Sequence, residues 1–192
     1  HIHDRRQRQM CIRDSPHWVA ANACRLPHRG ERYKQTSPGR LIHADICGPF
    51  PPSVPHRHRY LLVLVDDSSR FKFGFGLVLR SDAPAAITRF TARWNSFAKT
   101  NSRISHLSRL HSDAAGEFRA AAFLDLLANE NIDKSFAPPE VHQLNGVAER
   151  AIRTIFAHVR ADLVASGAPK GFWNLDVCRV TGNRYDQSHH LA

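Results

Sequence analysis

Three acidic residues pose the chemical question in this sequence. Asp45 lies in the apolar run Leu41-Ile42-His43-Ala44-Asp45-Ile46-Cys47, where an ionised carboxylate is costly unless it meets a cation or hydrogen-bond donors. Asp113 comes just after a short apolar stretch, and Glu149 falls in a long helical pattern. A divalent cation would relieve the cost at Asp45. Mg2+ takes oxygen ligands and keeps several waters, so two or three carboxylates and a substrate phosphate suffice for a site. A pair of such ions would clamp the attacking and leaving oxygens of an in-line displacement at phosphorus. Taken singly, each acid reads better as a turn, cap or ion-pair residue. Only their convergence carries the chemistry.

Convergence depends on the elements that hold them. Residues 41–47 read as a buried strand, stopped by Gly48-Pro49 and a proline-rich loop through Pro55. Residues 60–66 and 71–79 read as two more strands, joined as a hairpin at Asp67-Ser68-Ser69-Arg70. Residues 82–99 carry Ile87, Phe90, Trp94 and Phe97 at helical spacing, with Ser81 or Asp82 available as the cap. A fourth strand is predicted over 104–111, a second helix over 117–129, a fifth strand over 132–137 and a long helix over 145–166. The order β-β-β-α-β-α-β-α predicts an α/β fold with a five-stranded mixed sheet flanked by helices. In this arrangement the three acids approach a common sheet edge.

The bulk properties agree with one main domain. The 192 residues suffice for one sizeable α/β core, assigned to residues 33–180. Residues 1–32, rich in Arg and His, read as an extension or the remnant of a zinc module, and 181–192 as a truncated tail. The excess of 27 Lys+Arg over 17 Asp+Glu, +10 formally, favours a polyanionic partner. Cys11, Cys24, Cys47 and Cys178 form no C-x-x-C pair, which argues against a disulfide framework and fits a reducing compartment. No apolar run approaches the roughly 18 residues of a membrane span, so an intracellular protein without a membrane partner is expected.

Four blocks together resemble the integrase core of copia-type retrotransposons, within the retroviral integrase superfamily. They are Leu41 to Pro49, then Val65-Asp66-Asp67-Ser68-Ser69-Arg70, then His111-Ser112-Asp113-Ala114-Ala115-Gly116-Glu117-Phe118, and Asn145-Gly146-Val147-Ala148-Glu149-Arg150. They occur in the family's order, and 149 − 113 = 36 leaves 35 residues between the second and third acids, as the family signature requires. The resemblance covers about residues 33–175, including Pro169-Lys170-Gly171-Phe172-Trp173. It implies an RNase H-like fold and dependence on Mg2+ or Mn2+. It also implies trimming of element DNA ends by water, joining of the 3′-hydroxyl to target DNA, and action as a homo-oligomer in the nucleus or a cytoplasmic particle. By position, Asp45, Asp113 and Glu149 become the catalytic metal ligands.

Residues around the acids extend this expectation. Glu149, Arg153 and Arg160 share one stripe of the last helix, beside an apolar face of Ile152, Ile155, Phe156, Val159 and Leu163. Arg150 and Arg153 are therefore expected to meet DNA phosphates, as is Asn145 in the preceding polar loop; an intrahelical Glu149–Arg153 ion pair is the competing reading. Asp66 and Asp67 belong to the hairpin turn, and Glu117 to a helix start where its charge favours the positive end of the dipole.

Two departures from the family pattern stand out. Ala114 and Ala115 follow Asp113 where family members commonly carry Asn, removing a polar contact to DNA while leaving the carboxylates intact. The N-terminal zinc module is not reproduced: Cys24-Arg25-Leu26-Pro27-His28 lacks the C-x-x-C, and no structural zinc is predicted. Other readings are an RNase H-like nuclease or transposase with similar acids, and a degenerate core that binds DNA without catalysis.

Overall fold

The structure is a computed structural model that describes residues 35–113, 116–136 and 146–181. The chain divides into two units, His1–Tyr33 and Lys34–Ala192, and every described residue lies in the second. The expectations for the 1–32 extension, for Cys24 and His28, for Ala114 and Ala115, for Asn145 and for residues 182–192 fall outside the described residues.

Strands β1 (Ile42–Cys47), β2 (Tyr60–Asp66) and β3 (Lys72–Leu77) are followed by a 3-10 turn at Arg80–Asp82 and helix α1 (Ala83–Thr100). Strand β4 (Arg109–Ser112), helices α2 (Gly116–Arg119) and α3 (Ala121–Asn129), and strand β5 (Asp133–Phe136) come next. Helix α4 (Gly146–Ser166), a 3-10 turn at Lys170–Phe172 and helix α5 (Trp173–Thr181) complete the described chain. The five strands form one sheet in the order β3-β2-β1-β4-β5. β1–β2 and β2–β3 are antiparallel, whereas β1–β4 and β4–β5 are parallel. The expected mixed five-stranded sheet flanked by helices is the observed one.

β2 is apolar along its length because it is covered on both faces. Leu62 and Leu64 face a core with Ile42, Ala44, Ile87, Phe90, Leu110, Phe118 and Leu127, beneath α1 and α3. Leu61, Val63 and Val65 face a second core with Val147, Ala151, Ile155, Val159, Trp173 and Val177, beneath α4 and α5. The alternation that sorts these side chains also sorts β1: Ala44 and Ile46 go to the first core, and Asp45, paired in register with Val63, faces α4.

Element boundaries moved where side chains claim backbone groups. The fourth strand begins at Arg109, not 104, because Trp94 Nε1 donates to the Ser105 carbonyl (3.0 Å) and Asn95 Oδ1 accepts from Leu107 N–H (2.9 Å). Groups bound to α1 cannot also serve a ladder. The second helix is two, broken at Ala120, whose extended ψ of 129° ends the short α2. Asp82 does not cap α1 with its side chain; its Oδ2 accepts from Leu79 N–H (2.9 Å) and braces the preceding 3-10 turn. Helix α5 had not been anticipated, because buried Asn174 and Thr181 interrupt the apolar pattern of Trp173, Val177 and Cys178.

The turn residues Ser37-Pro38-Gly39 lead into β1 as expected. Gly39 holds φ at +92°, and a Cβ there would come within 2.2 Å of the Ser105 carbonyl oxygen, so no larger residue fits. Among the described residues no helix is long and apolar enough to cross a membrane. Neither Cys47 nor Cys178 forms a disulfide among the described residues.

Candidate active site

The parallel register between β1 and β4 brings two of the acids together. Ala44 pairs with Ser112, so Asp45 and Asp113 are the next residues along neighbouring strands, which run about 4.8 Å apart. They stand where the parallel β1–β4 pairing ends, close to the position at which α/β sheets commonly present ligand-binding groups. Glu149 lies in the first turn of α4 and is exposed. Val147, Ala151, Ile155 and Val159 are buried against the α4 face of the sheet, the face that carries Asp45, and this packing fixes the helix there.

Electrostatics register the convergence. Burial, then the charges of Asp113 and Glu149, push the Asp45 carboxyl up to about 6; the Ile46 N–H, donated to its Oδ1 at 2.8 Å, and Arg80 pull the other way. Burial, and next the Asp45 carboxylate, push the nearby Cys47 thiol up to about 12, leaving it protonated and inert at neutral pH.

Two cations missed by the sequence reading border these acids. Lys134 Nζ donates to Ser112 Oγ at 2.5 Å and lies 4.9 Å and 5.0 Å from the ring centroids of Phe118 and Phe136. Burial pulls its pKa down to about 7 against the opposing pull of Asp113. The available signal was strand alternation, since Lys134 shares its side of β5 with Phe136. Arg80 pairs through Nε with Glu117 Oε1 at 2.5 Å. Glu117 stands in the first turn of α2 as expected, but its carboxylate is engaged by this distant arginine.

The other acids keep to structural work. Asp66 Oδ1 accepts from Gly39 N–H, and its Oδ2 accepts from both the N–H and the hydroxyl of Ser69. Asp67 meets Gln35 N–H, His43 Nε2 and Arg70. Burial alone would raise the Asp67 pKa, but these three partners outweigh it and hold the carboxyl below the usual value. Arg150 and Arg153 are exposed on α4; Arg150 Nε donates to the Gly146 carbonyl at 2.9 Å. Among the described residues no ion pair joins Glu149 to Arg153.

The donor set suits a hard divalent ion: three carboxylates, one of them half-buried, with its pKa raised by burial first and then by the charges of the other two. As placed, however, no three acid, His or Cys groups among the described residues are close enough to coordinate one ion together. The acids are neighbours in the electrostatic sense, without a closed coordination sphere.

No protein-family model matches the chain. Over 133 residues, 69% of its length, it is 31% identical to the retrovirus-related Pol polyprotein from transposon TNT 1-94 of Nicotiana tabacum, covering 10% of that protein. Over 151 residues, 76% of its length, it is 26% identical to the transposon Ty1-NL2 Gag-Pol polyprotein of Saccharomyces cerevisiae, covering 8% of it. The chain spans about a tenth of the length of these curated relatives. A chain of the simian T-cell lymphotropic virus intasome, determined with the PP2A regulatory subunit B56 gamma, has a similar fold: TM-score 0.61 at 14% identity, over 90% of this chain and 59% of that one. By its sequence the chain belongs to the family of retrotransposon Pol polyproteins, and its five-stranded mixed sheet with flanking helices is an RNase H-like α/β fold.

Proposed function

We propose that the chain is the catalytic core of an integrase, a polynucleotidyl transferase that processes element DNA ends and joins them to target DNA, with Asp45, Asp113 and Glu149 as the groups that would hold Mg2+ or Mn2+. The observation that carries the reading is the strand register that sets the half-buried Asp45 beside Asp113, with Glu149 on the helix packed over the same face of the sheet. Bound divalent ions would supply charge stabilisation at phosphorus and a deprotonated oxygen nucleophile.

The chain's own groups do the positioning. Asp45 is held within β1 beside Asp113, which directly follows β4, and Glu149 is held on the first turn of a packed helix. Arg150, Arg153 and Asn145 would meet backbone phosphates, which set register rather than sequence preference. In end trimming, a water oxygen bonds to phosphorus and the 3′-oxygen on its far side departs. In joining, the freed 3′-hydroxyl oxygen attacks a target phosphate and displaces the target strand's 3′-oxygen. The partners are thus element and target DNA, with a second copy of the chain completing the assembly.

A second reading, a degenerate core that binds DNA without catalysis, is favoured by the absence of a closed ligand set among the described residues and by Ala114-Ala115 beside Asp113. One experiment separates the two. The purified chain is given branched DNA, paired DNA ends and an RNA–DNA hybrid with Mg2+ or Mn2+, alongside Asp113→Asn. Metal-dependent DNA nicking or joining that Asp113→Asn abolishes supports the integrase reading. Hybrid cleavage without joining indicates a nuclease, and DNA binding with no metal-dependent chemistry indicates the degenerate core.

A further inference from the structure

A site with three carboxylates repels the phosphodiester it must receive unless a cation stands at its mouth. Arg80 is placed for that task. The chain leaves the sheet after Leu77 and enters the 3-10 turn that begins at Arg80, a turn braced by Asp82 Oδ2 on Leu79 N–H. From there the guanidinium reaches Glu117, four residues past Asp113, meeting Oε1 with Nε at 2.5 Å. Its charge also acts on Asp45. One planar cation thus pairs with the helix that follows one acid while its charge acts on another.

The geometry of the pair matters more than its charge. Glu117 is 18% exposed and Arg80 38%, so the carboxylate forms the inner anchor and the arginine the outer, reachable group. The hydrogen bond to Glu117 uses Nε, and a guanidinium held through Nε still carries two terminal nitrogens, a fork that matches two oxygens of a phosphate. Glu117 also restricts the arginine's rotamers before any ligand arrives, lowering the entropy lost on binding.

Building on the integrase reading, we infer that Arg80, braced by Glu117, is a phosphate-binding residue at the mouth of the acidic site, holding the backbone of the DNA strand that enters it. Arg80 is a contact to substrate backbone, and Glu117 is its positioning residue. Neither role requires sequence recognition, since phosphate contacts orient a duplex without reading it.

The test measures binding of a fluorescent DNA duplex to the full chain by anisotropy across a salt series, with and without Mn2+, for wild type, R80Q, R80K and E117Q. R80Q is expected to weaken binding on the order of 5- to 30-fold and to reduce the salt slope by about one. R80K should recover part of the affinity, because a point charge replaces the fork. E117Q should weaken binding less, and in the active chain should raise KM more than it lowers kcat. Equal loss of thermal stability in R80Q and E117Q with an unchanged salt slope would mean a purely structural ion pair and overturn the inference. If wild type binds and processes DNA while R80Q matches it in affinity, slope and KM, this inference falls and the integrase reading stands. If wild type binds no DNA, both fall.

Discussion

Lys134 and Ser112 form the link between the edge strand and the acid on its neighbour: the ammonium donates to Ser112 Oγ at 2.5 Å, and that hydroxyl donates to the Asp113 carbonyl at 2.8 Å. The link tethers the last residue of β4 beneath the rings of Phe118 and Phe136. It holds a charge where burial opposes one.

Lys134 therefore makes stability depend on pH in a defined direction. Its folded pKa, about 7, lies below the ordinary lysine value of 10.5, with burial as the main cause. The unfolded chain thus binds more protons between these values, and stability rises as pH rises through that window. The full shift corresponds to at most about 4–5 kcal/mol, less whatever solvent screening removes. Lys134→Met should raise the thermal midpoint at pH 7 by several degrees, and the gain should shrink toward pH 10.5. Thermal melts of the two proteins across that range check this; a constant difference at every pH would contradict it.

Close packing of α5 on the β3 edge gives a second prediction. A Cβ at Gly76 would come within 2.4 Å of His58 Nδ1 and 2.5 Å of Asn174 Oδ1, and one at Gly74 within 2.7 Å of Val177 Cγ1. Gly76→Ala must push His58 or the start of α5 away, at a cost of about 1–3 kcal/mol for overpacking. Urea titration should show that loss, and amide exchange should show α5 opening before β2. Unchanged stability would mean that the helix yields freely.

This packing also explains what could and could not be read in the sequence. β1, β2 and α1 were legible because burial left apolar runs of strand length, as at Leu61 to Val65, and a helical spacing at Ile87 and Phe90. α5 was not, since its buried face includes Asn174 and Thr181, chosen to fit beside small residues of β3. The position of Asp45 beside Asp113 follows from strand register, which four spaced sequence blocks only imply. The Arg80–Glu117 pair bridges 37 positions and leaves no periodic trace.

Asp66 and Asp67 should behave as scaffold. Asp67→Asn weakens the charged acceptor shared by Gln35 N–H, His43 and Arg70, at a cost of about 1–3 kcal/mol. Because the folded Asp67 pKa lies below the usual value, its stabilisation is present above the unfolded pKa and disappears as pH falls through the folded one. Differential scanning calorimetry of wild type and Asp67→Asn should converge at low pH. The response of either protein to Mn2+ should be the same, since neither turn acid is expected to bind it.

Asp45 should behave in the opposite sense. Its folded pKa of about 6 exceeds the ordinary aspartate value of 3.8, so ionisation costs nothing below the unfolded pKa and its full penalty above the folded one. The rise from 3.8 to about 6 corresponds to roughly 3 kcal/mol at most. Asp45→Asn is therefore expected to stabilise the metal-free chain at pH 7.5 by about 1–3 kcal/mol, with the gain fading toward pH 4. Mn2+ should reverse the ranking: an ion that binds only the folded state adds about 2.7 kcal/mol at a hundredfold excess over its Kd, and Asp45→Asn should lose most of that increment. Thermal melts with and without Mn2+ at pH 5 and 7.5 measure both effects. A variant more stable without metal and less responsive with it is what a buried metal ligand demands, whereas a carboxylate kept for hydrogen bonding alone would destabilise the chain on substitution and leave the metal response intact.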